Sequence, residues 1–365
     1  MILADDIIKI LKKNKINFFT GVPDSVLKKL SVSFRENHIS VNNEGTAISL
    51  AHGYHLSTGK LPCVYLQNSG LGNTINPLIS ISHKKVYSIP SVLIIGWRGS
   101  PGSKDEPQHI AKGEITEDIL DLLGIKYCLL KKKSNLKKFD KLIQFSKKNN
   151  RTVACLIEKN IIYQKRNITL KNKTNNFEIK RYEFLSELIN LIKVRTKIVS
   201  STGYISRELD NILTFNKSKF VKPFYMVGGM GHSSAVTLGI DLFSNTQNIC
   251  LDGDGALLMH LGSMGITSKF AGKKFKHILF RNNSHESVGN QTTNSNHINF
   301  KLIVKGLGFK RYKLIYKKSH CRSVLKNFLN IPGPAFLEVR IKSGSIENLG
   351  RPRNLRLLKR DFMKH

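Results

Sequence analysis

The segment LDGDGALLMHLGSMGITSKFAGKKFKHILFRNNSHESVG, residues 251–289, decides how this chain is interpreted. A strand-like apolar run ends in GDG at residues 253–255, and 26 residues later a second such run ends in Asn282 and Asn283. Glycines at a strand end let the backbone approach a bulky ligand, and the amides of a following helix attract anions. The carboxylate of Asp254 would repel such an anion unless a hard cation lay between them.

Asp254 and the side-chain oxygen of Asn283 suit Mg²⁺, which prefers oxygen ligands and commonly bridges a carboxylate to phosphate groups. A GDG on its own is more often a turn closed by an aspartate, and Asp252 is assigned that turn-closing role rather than a metal-binding one. Because GDG occurs here together with the asparagine pair, the segment predicts a magnesium site next to a phosphate-bearing ligand.

Strand-like and helix-like segments alternate through both halves of the chain, a pattern typical of parallel α/β sheets. A polar run rich in lysine and asparagine at residues 163–178 predicts a linker between a first domain, residues 1–162, and a second domain, residues 179–365. Candidate functional residues in both halves follow predicted strands. Open α/β sheets bind their ligands at those strand ends.

The net charge of +34 suggests a basic nucleic-acid-binding protein as a distant alternative. The lysines are spread along the chain, however, and the aromatic residues do not interleave with them, so neither a nucleic-acid partner nor a membrane partner is expected.

No apolar run reaches the roughly 18 residues of a membrane span. Asp5 and Asp6 stand where a secretory signal would be positive, which favours a cytoplasmic protein. The five scattered cysteines predict buried reduced thiols.

Longer motifs extend the pattern over nearly the whole chain, and they resemble those of the thiamine-diphosphate-dependent enzymes. Within these, the chain is most similar to the phosphonopyruvate decarboxylase family and slightly less similar to the sulfopyruvate decarboxylases. The resemblance implies two thiamine-diphosphate-binding-fold domains, pyrimidine-binding (PYR) and then diphosphate-binding (PP), each a mainly parallel sheet flanked by helices. The segments that carry it, besides residues 251–289, are GVPDSVLK, NNEGTAISLAHGYHLSTGK, QNSGLGNTINPL, GWRGSPGSKDEPQHI, STGYISREL and NNSHESVGNQTT.

The resemblance assigns the cofactors, thiamine diphosphate and Mg²⁺, to residues of the second half. Asp254 would bind Mg²⁺ through its carboxylate, Asn283 through its side chain and His285 through its backbone carbonyl. Asn282 would tie down the strand end. The binding set for the diphosphate end of the cofactor includes Gly253 and Gly255 on either side of Asp254.

In the GGMG motif at residues 228–231, the resemblance assigns the Gly228 carbonyl to the aminopyrimidine amino group. Met230 would be the apolar wedge that bends the cofactor, although a methionine at a strand end is more often core filling. The chain has Gly229 where the family often has serine, which puts one minor cofactor contact in doubt.

Glu44 follows a predicted strand and opens a predicted helix. In the family a glutamate at this place bonds the aminopyrimidine ring and promotes the imino tautomer that activates the thiazolium carbon, and the cofactor then acts as the electron sink. The alternative is an acid at a helix start, where the helix dipole favours negative charge. The motif around Glu44 favours the catalytic role.

The loop GWRGSPGSKDEPQHI supplies candidates for binding an anionic substrate. The planar guanidinium of Arg98 suits a tetrahedral oxyanion, and a dianionic phosphonate would benefit from a second basic group, Lys104 or His109. A charged run of this kind is otherwise a solvated loop.

Further candidates are Asp24 and Ser25 in GVPDS, where an acid could protonate the intermediate left after CO₂ departs. The alternative for Asp24 is an ordinary helix cap. Asn68 would either face the ligand or cap the following helix. His52 and His55 are interpreted as structural.

The resemblance implies nonoxidative decarboxylation of 3-phosphonopyruvate to phosphonoacetaldehyde and CO₂, a carboxy-lyase reaction of phosphonate biosynthesis. The partner would be a small anionic 2-keto acid, with sulfopyruvate as the alternative substrate. One chain carrying both halves favours the phosphonate. A homodimer or higher homo-oligomer is also implied, with active sites shared between protomers.

Overall fold

The computed structural model describes residues 1–34, 37–164, 176–216 and 218–364, and the chain divides into two compact units. The first unit comprises Met1–Lys171 together with Val288–Gln291, and the second comprises Asn172–Ser287 together with Thr292–His365. Most of the linker expected at residues 163–178 lies outside the described residues, and its first residue, Tyr163, belongs to a strand.

The first unit is built on a six-stranded parallel sheet of order β3-β2-β4-β5-β7-β6, beside a parallel pair formed by β1 and β8. Its strands are β1 (Ile2–Leu3), β2 (Phe19–Gly21), β3 (His38–Ser40), β4 (Cys63–Gln67), β5 (Val92–Trp97), β6 (Lys126–Leu129), β7 (Val153–Glu158) and β8 (Ile162–Tyr163). Its helices are α1 (Ala4–Lys13), α2 (Lys28–Ser31), α3 (Glu44–Thr58), α4 (Leu71–Pro77), α5 (Pro107–Glu114), α6 (Thr116–Leu122) and α7 (Leu136–Asn149).

The second unit is built on another six-stranded parallel sheet, of order β10-β9-β11-β12-β14-β13. Its strands are β9 (Thr196–Ser200), β10 (Val221–Tyr225), β11 (Gln247–Gly253), β12 (Phe275–Arg281), β13 (Arg311–Ile315) and β14 (Ala335–Arg340). Its helices are α8 (Arg181–Leu191), α9 (Tyr204–Asn216), α10 (Ser233–Leu242), α11 (Asp254–Met259), α12 (Ser263–Phe270), α13 (Phe300–Gly306), α14 (Cys321–Asn330) and α15 (Leu355–Met363).

Both sheets have the same topology. If the six sheet strands of each unit are numbered from one, the order is 2-1-3-4-6-5 in both. The order reverses between the first and third strands, which are β2 and β4 in one unit and β9 and β11 in the other. Ligands of doubly wound sheets bind at such reversals, beyond the carboxyl ends of the strands. The expected fold class is thus confirmed.

The central strands are buried on both faces because their side chains alternate between two apolar clusters. In β5, Val92 and Ile94 pack into one cluster, whereas Leu93 and Ile95 pack into the other, and all four are fully buried. Such continuous apolar runs are typical of parallel strands covered by helices on both sides. The sheet is therefore a rigid platform for the polar residues at its carboxyl edge.

Two helices are shorter than the sequence pattern predicts. The sequence pattern PDSVLKKLSVSFREN predicts a helix over residues 23–37, and the structure places a shorter one, α2, within that range. The turn before α2 is bound by the side chain of Asp24. The helix expected after GDG is divided into α11 and α12, which are separated by residues 260–262. Helix α11 has six residues, and the anion-binding role expected of its N-terminus stays a prediction.

All five cysteines are free, but only Cys63, Cys155 and Cys250 are buried as expected, whereas Cys128 and Cys321 are half-buried. Across the described parts of the chain, every helix is too short or too polar to cross a bilayer.

Candidate active site

Asp254 lies at the carboxyl end of β11 and is only 2% exposed, and its carboxylate is surrounded by hydrogen-bond donors. Its Oδ1 accepts from the Gly255 amide at 2.9 Å, and its Oδ2 accepts from the Asn283 amide at 2.8 Å. Two hydroxyls also donate to Oδ2, that of Thr293 at 3.0 Å and that of Ser295 at 2.6 Å. Burial raises the pKa of Asp254, and these donors only partly oppose that rise.

Asn283 follows β12, and its side chain is linked to that of Asp254 through the hydroxyl of Ser295. The Ser295 hydroxyl lies 2.7 Å from Asn283 Oδ1 and 2.6 Å from Asp254 Oδ2. Asn283 adopts a left-handed backbone with φ 61°, which asparagine tolerates better than most residues. The next-door Asn282 bonds the Ser284 amide through its side chain, consistent with its expected role of tying down the strand end.

Three observations indicate that these residues fit Mg²⁺. The candidate ligand atoms are hard oxygens, which Mg²⁺ prefers. The side-chain oxygens of Asp254 and Asn283 both lie within hydrogen-bond distance of the Ser295 hydroxyl. The carboxylate is buried, so a cation would offset the cost of its charge. A Cβ on Gly255 would lie 2.5 Å from the ring of buried His285, so the turn tolerates only glycine there. Burial lowers the pKa of His285 to about 4, which keeps that ring uncharged.

Asp252 belongs to a separate buried group. Its Oδ1 accepts from the Gly253 amide at 3.0 Å, which is the turn-closing contact expected from the sequence. Ligand atoms of Cys250, Asp252 and His277 lie within 4.8 Å of one another. Burial raises the pKa of Asp252 to about 7 and raises that of the Cys250 thiol well above its usual range. All three residues are at most 1% exposed and Asp252 closes the turn, so we assign the group to the core.

The GGMG motif forms the turn between β10 and α10. Gly228 and Met230 are half-buried there. Gly231 has φ +83°, and a Cβ on it would lie 2.6 Å from the His260 ring, so this position requires glycine. The turn lies beyond the carboxyl end of β10, next to the reversal in the strand order of the second unit.

In the first unit, Glu44 opens α3 and is 6% exposed. The cap of the helix is Asn43, which accepts from the Gly45 and Thr46 amides, so Glu44 is not needed as the cap. Glu44 Oε2 accepts from Asn73 at 2.7 Å. Burial raises the pKa of Glu44, opposed by the bond from Asn73 and by the nearby charge of Lys112. A buried acid with a raised pKa at a strand–helix edge is typical of catalytic sites.

Asp24 follows β2 and is 1% exposed. Its Oδ2 accepts from the Val26 and Leu27 amides, so the expected capping contact is present, although it binds the turn before α2 rather than the helix itself. Its Oδ1 accepts a short hydrogen bond from Gln67. Burial raises the pKa of Asp24, and Gln67 is the strongest of the groups that oppose this.

Arg98 does not present a free guanidinium fork. Its Nε and Nη2 both donate to the buried carboxylate of Asp105, and its Nη1 donates to Ser25 Oγ at 3.3 Å. Burial alone would raise the pKa of Asp105, but bonds and charge from Arg98 outweigh it and hold that pKa well below its usual range. The guanidinium is thus fixed in place, and its charge is largely balanced.

The other substrate candidates have different surroundings. Asn68 donates to the Arg98 carbonyl and to Thr116, and it accepts from the Arg98 amide, so its amide group is fully used in positioning Arg98. The half-buried His109 has Nδ1 3.5 Å from the Ser69 hydroxyl, whereas Lys104 is exposed.

His52 and His55 bond Ser82 and the Lys60 carbonyl, respectively, in agreement with their structural interpretation.

Sequence reasoning did not assign the residues that hold the candidate groups in place. In the first unit these are Gln67, Asn73, Asp105 and Lys112, and in the second unit they are Thr293 and Ser295. All six lie inside or within two residues of the motif segments. That position is the only sign in the sequence that they belong to the site. Except for Asp105, which pairs with Arg98 in the same loop, their partners are distant in sequence, so only the fold reveals the contacts.

Two protein-family models match the chain. "Thiamine pyrophosphate enzyme, N-terminal TPP binding domain" matches residues 1–122, and "Thiamine pyrophosphate enzyme, C-terminal TPP binding domain" matches residues 201–339. Thiamine pyrophosphate is another name for thiamine diphosphate.

Among curated proteins, a phosphonopyruvate decarboxylase of Streptomyces viridochromogenes is 30% identical over 97% of this chain and 92% of its own length. A sulfopyruvate decarboxylase of Methanosarcina acetivorans is 24% identical over 93% of this chain and 92% of its own length. A sulfopyruvate decarboxylase subunit alpha of Methanothermobacter thermautotrophicus is 30% identical over 40% of this chain and 90% of its own length.

Proposed function

The chain belongs to the thiamine-diphosphate-dependent decarboxylases, and on that premise we propose that it converts 3-phosphonopyruvate to phosphonoacetaldehyde and CO₂ with the help of Mg²⁺. The observation that carries the choice of substrate is the similarity to a phosphonopyruvate decarboxylase over 97% of the chain, at 30% identity against 24% for the full-length sulfopyruvate decarboxylase. The reaction consumes one proton, which takes the place of the departing CO₂.

The proposed magnesium ligands are the Asp254 carboxylate, the Asn283 side chain and the His285 carbonyl. Gly253 and Gly255 would border the diphosphate, while Gly228 and Met230 would contact the pyrimidine end. We retain residues 1–162 and 179–365 as the proposed pyrimidine-binding and diphosphate-binding domains. When bound, thiamine diphosphate supplies a nucleophilic carbon and an electron sink for decarboxylation.

Two buried acids of the first unit would handle protons. Glu44, held by Asn73, would exchange a proton with the aminopyrimidine ring through its carboxyl oxygens. Asp24 would deliver a proton to the carbon that has lost CO₂. Burial raises the pKa of both acids, so each keeps a proton to higher pH than an exposed carboxyl does.

Arg98 and Ser25 would bind the anionic end of the substrate, with His109 and Lys104 as the additional basic groups. Asn68 would fix the backbone of Arg98. In the guanidinium, Nε and Nη2 are engaged by Asp105, so the substrate would meet the remaining N–H groups and the Ser25 hydroxyl.

The Arg98–Asp105 pair also supports sulfopyruvate as a second candidate. Because Asp105 balances the charge of Arg98, less net positive charge is available to a dianion than a free arginine would offer. A sulfonate is a monoanion and would need less positive charge from the protein than a dianionic phosphonate.

The proposed assembly is a cytoplasmic homodimer or higher homo-oligomer whose protomers share active sites. It is supported by the relative from Methanothermobacter thermautotrophicus, which is named as a subunit.

The test is to supply purified protein, Mg²⁺ and thiamine diphosphate with phosphonopyruvate, sulfopyruvate or pyruvate and to measure the aldehyde formed. We expect the largest kcat/KM with phosphonopyruvate. A preference for sulfopyruvate would select the second candidate, and the absence of turnover with all three acids would refute both.

A further inference from the structure

Thr293 is the last residue of the segment NNSHESVGNQTT and Ser295 lies two residues beyond it. The sequence assigns neither of them a role, yet both hydroxyls reach Asp254. Each side chain is at most 1% exposed. Their Oγ atoms lie 3.0 Å apart, and both lie within 3.0 Å of the same carboxylate oxygen, Asp254 Oδ2. Two hydroxyls that donate to one oxygen fix the rotation of the carboxylate group, because a rotated carboxylate would lose both bonds.

Ser295 also acts on the second proposed ligand, since its hydroxyl lies 2.7 Å from Asn283 Oδ1. Arg281, at the end of β12, holds the same pair, with Nε donating to Asn283 Oδ1 at 3.2 Å and Nη2 donating to the Ser295 carbonyl at 2.6 Å. Glu338 anchors this guanidinium through Nη1 at 3.0 Å. The spacing of the two ligand oxygens is therefore set by groups that are themselves buried and paired.

The backbone explains why residues so far from Asp254 in sequence reach it. The segment folds back on the asparagine motif, with an isolated antiparallel bridge between Ser284 and Thr292. The Thr293 amide then donates to the Asn283 carbonyl at 3.3 Å. These contacts place alternate residues, 293 and 295, against the carboxylate, whereas Thr292, which forms the bridge, is exposed.

We propose that Thr293 and Ser295 are positioning residues that hold the Asp254 carboxylate and the Asn283 amide in place for Mg²⁺. The inference rests on the magnesium site of the proposed function. Removal of a group that hydrogen-bonds a metal ligand typically lowers the metal affinity about 10–100-fold. The two hydroxyls therefore act on the affinity for Mg²⁺ and not on the chemical step.

The experiment titrates Mg²⁺ into full-length protein in excess thiamine diphosphate and follows binding by calorimetry. Thr293→Val keeps the shape of the side chain and removes the hydroxyl, and Thr293→Ser keeps the hydroxyl and removes the methyl. Ser295→Ala removes the second hydroxyl, and Ser295→Cys replaces it with a weak donor of similar size. Thr292→Val is the matched control, because the Thr292 hydroxyl accepts a local bond from the Asn294 amide and lies on the exposed side of the segment.

We expect Kd for Mg²⁺ to rise at least about 10-fold in Thr293→Val, Ser295→Ala and Ser295→Cys. It should stay within twofold of the wild-type value in Thr293→Ser and Thr292→Val. At saturating Mg²⁺, kcat should recover in every variant. Equal Kd in Thr293→Val and Thr293→Ser would overturn the proposal, as would wild-type affinity in Ser295→Cys. If Ser295→Ala does not fold, the Cys variant and the Thr293 pair decide.

The same experiments distinguish failure of this inference from failure of the proposed decarboxylase function. If the wild-type protein binds Mg²⁺ with thiamine diphosphate but turns over none of the three keto acids, the substrate proposal fails while the affinity comparison still stands. If the wild-type protein binds no Mg²⁺ under these conditions, the magnesium site and this inference fail together.

Discussion

Glu44 illustrates how a single residue is made reactive at a cost to the fold. Its carboxyl is buried at the start of α3 and is held by one bond from Asn73, while Lys112 supplies the nearby opposite charge. Burial dominates, and the pKa of Glu44 is raised. A carboxyl with a raised pKa keeps its proton to higher pH than an exposed glutamate does, which suits it to proton exchange with a cofactor.

We expect Glu44→Gln to lower kcat at least about 100-fold, because the amide keeps the size of the side chain but cannot transfer the proton. Binding of thiamine diphosphate, measured by calorimetry, should stay within a few-fold of the wild-type value. The matched control is Glu114→Gln, an exposed glutamate at the end of α5, which should leave kcat unchanged. Full activity in Glu44→Gln would show that another group activates the cofactor.

The same substitution should stabilise the protein without cofactor as the pH rises. Between the ordinary glutamate pKa of 4.5 and the raised pKa of Glu44, the folded chain binds more protons than the unfolded chain. The free energy of unfolding therefore falls as pH rises through this window. The glutamine side chain of the variant does not titrate, so the Tm of Glu44→Gln relative to wild type should increase from about pH 4.5 upward, by a few degrees in total.

Scanning calorimetry of both proteins from pH 5 to pH 8 checks this expectation. In the variant, Lys112 loses the negative charge of Glu44, which reduces the expected gain in Tm. The comparison is therefore repeated in proteins that also carry Lys112→Met. A constant difference in Tm across the pH range would mean that burial of Glu44 carries no titratable cost.

The sequence identified Glu44, Asp24 and Asp254 because each directly follows a strand inside a recognisable motif. It did not identify their hydrogen-bond partners, since proximity between residues such as Asp254 and Ser295 depends on the return of a loop and not on spacing. Arg98 shows the same limit. The loop sequence contains both Arg98 and Asp105, but only the folded loop shows that they pair with each other.

At the scale of elements, the short turn Asn68–Gly70 before α4 shapes the surroundings of Glu44. A Cβ on Gly70 would lie 2.2 Å from Glu44 Oε1, although its φ of −93° suits any residue. Gly70 is thus needed for space and not for backbone freedom. Two residues further along, Gly72 lies inside α4, where an added Cβ would have nothing within 4 Å.

These two glycines form a matched pair for a test of that packing. Gly70→Ala should displace the Glu44 carboxyl and lower kcat at least about 10-fold, since misplacement of a catalytic group by about an ångström costs roughly 10²-fold in other enzymes. Gly72→Ala should keep kcat and stabilise the helix by about 0.5–1 kcal/mol. Activity assays and thermal unfolding distinguish the two effects. Equal kcat in both variants would contradict a close fit between α4 and Glu44.

Elements with strong apolar patterns were predicted well, and those defined by tertiary contacts were not. Central strands such as β5 and β12 were evident as buried runs. Strand β1 was missed because two residues have no periodicity, and the edge strand β13 was missed because two basic residues, Arg311 and Lys313, interrupt its apolar run. The helix after residue 23 was predicted too long because the side-chain bonds of Asp24 replace the first helical turn.

At the scale of the whole molecule, the two units use the same topology for different tasks. In each unit the ends of the third and fourth strands of the sheet are joined by a polar side chain. In the first, Asn68 bonds the Arg98 backbone, and in the second, Asp254 accepts from the Asn283 amide. One edge contact thus fixes a proposed substrate residue in one unit and a proposed metal ligand in the other.

If protomers share active sites, with Glu44 from one chain and Asp254 from another, two inactive variants should complement each other. We consider Glu44→Gln paired with Asp254→Ala, co-expressed with different tags and purified as the mixed dimer. One of its two sites would combine both substitutions, and the other would contain neither, so about half of the wild-type kcat per dimer is expected from twofold symmetry. The control is wild type paired with the double variant, in which each site carries one substitution and activity should be lost. If the site is formed within one chain instead, the first mixed dimer stays inactive and the control keeps half of its activity.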